Sequence, residues 1–105
     1  MDLSSIGKHI RERRLQKSWT QEDLGNAVGL TETYIGAIER GEKIPKLASF
    51  IRIINALGMS ADVALEDLTN TGYRVRMSRY LDKLDGLPEE KRRQVFAVID
   101  AMLKN

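Results

Sequence analysis

Between Thr20 and Gly41 the chain reads TQEDLGNAVGLTETYIGAIERG, and no other stretch restricts the fold as strongly. Two segments with helical periodicity meet there across only Gly29, Leu30 and Thr31. Each is shorter than the roughly 12 to 15 residues that an isolated helix needs in water, so both must be held by packing against other elements. The local chemistry repeats. Trp19, the N-cap candidate Thr20, and Leu24 at the fourth helical position read as one hydrophobic staple, and Leu30, Thr31 and Ile35 read as the next. Gly29 supplies a left-handed stop between the two helices, and Gly41 closes the second.

The rest of the chain extends this pattern. Only Pro45 and Pro88 interrupt it, and long alternating β-branched runs are missing, so an all-α fold is expected. A first helix, capped by Ser4 or Ser5 and ending near Ser18, would face the core with Ile6, Ile10 and Leu15. The second would bury Leu24, Ala27 and Val28, and the third Ile35 and Ile38. After a polar loop from Glu42 to Pro45, the spacing of Leu47, Phe50, Ile51, Ile54 and Leu57 predicts a fourth helix that Gly58 ends. Ser60 can cap a short fifth helix through Leu65. Thr69, Asn70, Thr71 and Gly72 are turn formers, and they divide the chain into a five-helix domain over 1–68 and a tail over 69–105. The tail has two amphipathic helices broken at Gly86, Leu87 and Pro88. One carries Met77, Tyr80, Leu81 and Leu84, the other Val95, Phe96, Ile99, Met102 and Leu103.

Composition removes several function classes. The 105 residues suit one domain with an appended element, and the absence of cysteine excludes disulfides and thiolate metal sites and favours a reducing compartment. No apolar run has the length of a membrane span, and MDLSSIGKHIRERR lacks the apolar stretch of a signal peptide, so a soluble intracellular protein is expected. The net charge of +2 is divided evenly, with nine Lys/Arg against eight Asp/Glu up to Leu65 and eight against seven after it. Placement rather than total charge must therefore identify a partner. His9, the sole histidine, lies between Lys8 and Arg11 and reads as solvated or phosphate-near rather than as a ligand. With no metal cluster, triad or phosphate-binding loop, no enzyme activity, cofactor or metal is assigned. EEKRR at Glu89 to Arg93 reads as a solvated helix face.

If Ile35 and Ile38 face inward, the third helix presents Glu32, Thr33, Gly36, Ala37 and Arg40 outward. A small polar face suits entry into the DNA major groove. An ordinary helical corner would show the same periodicity.

From Ile6 to Leu65 the sequence resembles the lambdoid repressor and Cro type of helix-turn-helix domain, the XRE family. The resemblance rests on IRERRLQKSWTQEDL, VGLTETYIGAIERG, the IP of EKIP, and LASFIRIINALGMSADVAL. It implies that the second helix props the third into a groove of double-stranded DNA. By position, Gln21 would reach a phosphate, Thr31, Glu32, Thr33 and Tyr34 would open the recognition helix, and Ala37 and Arg40 would lie further along it. Lys43 and Lys46 would flank a loop on the DNA backbone. Arg14 and Glu39 match a family ion pair, with Arg14 also counted among the phosphate contacts. Ser18, Trp19 and Gly25 stand where the family usually has glycine, leucine and alanine, and the reading face carries Glu32 in place of glutamine or asparagine.

The function implied is a sequence-specific transcriptional regulator, most often a repressor, in the cytoplasm at a bacterial or phage nucleoid. It would act as a homodimer on a near-palindromic operator, joined through Tyr80, Leu81, Leu84, Val95, Phe96, Ile99, Met102 and Leu103. The other class open at this point is an antitoxin-like protein whose tail binds a second protein while its helix-turn-helix domain regulates its own promoter.

Overall fold

Local capping chemistry sets most of the helix boundaries. The computed structural model describes residues 1–104, which form α1 (Ser4–Gln16), α2 (Gln21–Val28), α3 (Glu32–Glu39), α4 (Leu47–Leu57), α5 (Ala61–Ala64), α6 (Asn70–Asp85) and α7 (Glu89–Leu103). This is the all-α order expected, five helices and then two. Thr20 and Asp23 form a reciprocal capping box, Asp23 N–H donating to Thr20 Oγ1 at 3.0 Å and Thr20 N–H to Asp23 Oδ2 at 2.8 Å. Thr31 and Ser60 accept from the N–H groups of Tyr34 and Val63. Neither Ser4 nor Ser5 caps α1. Its N-cap is Leu3, and the Ser4 N–H donates instead to Asp2 Oδ1 at 2.9 Å.

The C-termini share one device. After α1, α3 and α4, two backbone bonds close a Schellman turn around a left-handed residue, as where Trp19 N–H reaches Arg14 O and Ser18 N–H reaches Leu15 O. The left-handed position is Gly41 after α3 and Gly58 after α4, but after α1 it is Ser18, at φ 58°. Arg13 strengthens the end of α4 from outside, its Nε–H donating to Leu57 O at 2.9 Å. Part of the basic charge of α1 is thus engaged in holding helices together.

The core comprises Ile6, Ile10, Leu24, Val28, Ile35, Ile38, Phe50, Ile53, Ile54, Leu57 and Ala64, with Trp19, Leu30 and Tyr34 packed against it. Four residues expected inside lie outside: Leu15, Ala27, Leu47 and Ile51 are exposed. On α1 the inward stripe is Ile6, Ile10 and Arg14, spaced by four, so Leu15 is turned about 100° past it. On α4 the stripe is Phe50, Ile53, Ile54 and Leu57, which turns Ile51 away and leaves Leu47 at the solvated helix start.

The segment Thr69 to Gly72, expected as a turn, is the start of α6: Thr69 caps it by accepting from Gly72 N–H at 2.9 Å. Gly72 packs directly on the preceding backbone, where an added Cβ would lie 2.1 Å from Glu66 O. Beyond it, α6 and α7 border an apolar groove of about 260 Å³ lined by Met77, Tyr80, Leu81, Leu84, Val95 and Ile99. Phe96, Met102 and Leu103 are exposed. The tail stripes are therefore not folded onto the five-helix core. Among the described residues no helix is long and apolar enough to cross a membrane.

Candidate nucleic-acid interface

α3 lies across the first two helices, and a buried ion pair sets how it is presented. Arg14 of α1 donates to Glu39 of α3 through Nε–H to Oε2 at 2.7 Å and Nη2–H to Oε1 at 2.9 Å, and its Nη1–H reaches Trp19 O at 2.7 Å. From the start of α2, Gln21 Nε2–H donates to the same Glu39 Oε1 at 3.2 Å. One carboxylate thus joins three helices, and its hydrogen bonds push the Arg14 guanidinium further above its already high ordinary pKa. The family-type pair expected between Arg14 and Glu39 is present. Arg14 as a phosphate ligand is corrected: it is 6% exposed and its donors face Glu39 and Trp19. Close approach of α1 to α3 depends on Gly7, where an added Cβ would sit 1.9 Å from Ile38 O.

The outward surface of α3 carries Thr31, Glu32, Thr33 and Arg40 exposed, with Tyr34 and Ala37 half-buried. Gly36 does not belong to that surface. It is buried, and a Cβ there would meet Arg40 Nη1 at 3.0 Å and Gln21 Oε1 at 3.2 Å, so its missing side chain makes room for both. Lys43 and Lys46 are exposed in the following loop.

Glu42 was not singled out by the sequence. Gly41, at φ 77°, folds the chain back so that Arg40 Nε–H donates to Glu42 Oε1 at 2.9 Å and Nη2–H to Oε2 at 3.1 Å. This bidentate bond holds the Glu42 carboxyl below its ordinary pKa, with the Arg40 charge adding to the effect. It also occupies the Nε and Nη2 edge of Arg40, leaving Nη1 the least engaged donor of the guanidinium. The available signal was Arg-Gly-Glu itself, a cation and an anion two residues apart around a turn-forming glycine. His9 is likewise corrected: it is not a solvated residue, since its Nε2 lies 2.6 Å from Asp67 Oδ2, away from the α3 face in a network with the tail.

Comparison with known proteins agrees with this arrangement. A family model described as helix-turn-helix matches residues 10–63. An uncharacterized HTH-type transcriptional regulator of Bacillus subtilis, YazB, is 36% identical over 62 residues, 59% of this chain and 90% of that protein. The control protein C.SmaI of Serratia marcescens is 36% identical over 61 residues, 57% of this chain and 73% of its own. The cryptic phage CTXphi transcriptional repressor RstR of Vibrio cholerae is 22% identical over 94 residues, 90% of this chain and 84% of its own. No solved structure gives a significant match. With residues 10–63 matched by the family model and α2 and α3 packed across a three-residue turn, the chain belongs to the helix-turn-helix family of Cro/C1 (XRE) type.

Proposed function

We propose that the protein is a sequence-specific DNA-binding transcriptional regulator, a homodimeric repressor that inserts α3 into the major groove of a near-palindromic operator. The observation that carries this reading is the outward face of α3, small and polar, locked in orientation by the buried Arg14–Glu39–Gln21 cluster and followed by exposed Lys43 and Lys46. Thr33 and Arg40 read base edges, and Glu32 accepts from cytosine N4. Gln21, Lys43 and Lys46 position the domain on phosphates, with the α2 N-terminus adding its partial positive charge. The relatives, named as transcriptional regulators and a phage repressor, support the same class.

Dimerisation is assigned to the tail. A monomer leaves Tyr80, Leu81, Phe96, Met102 and Leu103 exposed, and a two-fold partner would cover them. Two recognition helices would then sit about 34 Å apart, one DNA turn.

The test is binding to duplex DNA as a function of salt. Each neutralised phosphate contributes about −0.9 to the slope of log K against log salt, so replacing both Lys43 and Lys46 by Ala flattens the slope by about 1.8 per half-site, about 3.6 for the dimer, and weakens all sequences alike. Thr33→Ala instead changes preference at one operator position by about 1 to 3 kcal/mol. Affinity that is flat with salt rejects the reading.

A further inference from the structure

Leu65 to Thr69, the connection between α5 and α6, is where a jointed protein would place a flexible linker, and here each residue of it is held. Leu65 N–H donates to Ala61 O at 3.0 Å, Glu66 N–H to Val63 O at 3.3 Å and Leu68 N–H to Leu65 O at 2.9 Å. Leu65 and Leu68 pack against the core, and Thr69 caps α6. Gly72 lets the first turn of α6 rest on the backbone of Glu66.

Side-chain charges close the same junction from three elements. His9 Nε2 on α1 lies 2.6 Å from Asp67 Oδ2 and 3.7 Å from Glu66 Oε1. Arg76 and Arg79, three residues apart on one face of α6, bond Asp67 Oδ1 and Glu66 Oε1. The side chains of the two arginines are 40% and 47% exposed, so their pairs add little to global stability. What they constrain is direction, because two bonds at different heights along α6 oppose a pivot at its start. α6 has 16 residues and is about 24 Å long, so a pivot of about 10° moves its far end by about 4 Å. That exceeds the rise of one base pair, about 3.4 Å.

We propose that His9, Glu66, Asp67, Arg76 and Arg79 form a latch that fixes the angle between the DNA-binding domain and its tail, and that this angle sets the half-site spacing a dimer accepts. The inference rests on the tail-mediated dimer and operator reading proposed above. These are positioning residues: α3 reads the bases, and the latch decides where the second α3 falls along the duplex. A loosely jointed tail would serve operators of several spacings. A latched one does not, since one added base pair shifts the second half-site by about 3.4 Å and rotates it by about 35°.

The experiment compares the full chain with Arg76→Ala plus Arg79→Ala, and with Arg76→Ala alone, which keeps the buried Glu66 paired should the double variant fail to fold. Circular dichroism checks helicity in each. ¹⁵N relaxation then asks whether core and tail tumble as one body, and gel shifts measure affinity for operators whose half-sites are moved apart or together by one base pair. The wild-type chain is expected to tumble as one body and to lose at least about tenfold in affinity per base pair of altered spacing. In the folded variants the tail should tumble separately from the core and the loss should fall below about threefold, with binding to an isolated half-site unchanged. Separate tumbling in the wild type, or a spacing profile in the variants equal to that of the wild type, overturns the proposal. Relaxation needs neither DNA nor a dimer, so failure of the latch is distinguished from failure of the function proposed above, which shows as no binding at any spacing.

Discussion

Arg14 and Glu39, 25 residues apart, meet in a buried two-pronged hydrogen bond of 2.7 and 2.9 Å that links the first helix to the third. Removing one partner strands the other charge in the core. Glu39→Ala is expected to cost about 3 to 5 kcal/mol in urea or thermal unfolding. Replacing both, as Arg14→Met with Glu39→Leu, should recover most of that loss. DNA affinity should not recover with it, because Gln21 has then lost its anchor; full recovery of both would reduce the pair to a packing element.

Ser18 takes the left-handed φ of 58°, the conformation that Gly41 and Gly58 supply at the corresponding ends of α3 and α4. The left-handed conformation costs a residue with a Cβ about 1 to 2 kcal/mol, while glycine's extra freedom in the unfolded chain takes back about 0.5 to 1. Ser18→Gly is therefore expected to stabilise by about 0.5 to 1 kcal/mol, and Ser18→Val to destabilise. Chemical denaturation decides between the two signs.

Gly25 poses the opposite case, a glycine with a helical backbone and no room for a side chain. A Cβ there would lie 2.5 Å from Leu30 O, in the turn between α2 and α3. Gly25→Ala is expected to destabilise by about 1 to 3 kcal/mol through overpacking. An unchanged melting temperature would show that the turn can open to admit a methyl group.

Glu42, bonded to Arg40, has a lowered pKa. Its contribution is present above the unfolded carboxylate value near 4.3 and is lost as pH falls through the lower folded value. A side-chain NMR titration should give Glu42 a midpoint below the ordinary range, returned to normal by Arg40→Ala. At neutral pH, Glu42→Ala frees the Nε and Nη2 edge of Arg40 and removes a negative charge beside α3. Non-specific DNA affinity should rise, and an unchanged affinity would place this pair outside the interface.

Phe96 and Ile99 are 50% and 39% exposed on α7. Replacing both by Asp leaves the core untouched, so helicity should persist while sedimentation shifts to monomer and operator affinity falls toward that of a single half-site. A wild-type chain that stays monomeric at micromolar concentration, with and without operator, rejects the dimer.

Features carried by near neighbours in the chain are legible in the sequence alone. The caps at Thr20, Thr31 and Ser60, the stops at Gly29, Gly41 and Gly58, and the placement of Glu32, Thr33 and Arg40 on one helix each depend on residues within about one turn. The sequence by itself thus determined the number and order of the helices and the presence of a helix-turn-helix pair. Tertiary structure decided what distant segments do to one another: that Ile51 turns outward while Ile53 enters the core, that Gly72 presses on Glu66, and that His9 meets Asp67 from 58 residues away. The physical reason is that helical periodicity defines a stripe only to within one residue's rotation of about 100°, and which neighbour covers that stripe is settled only when the helices pack.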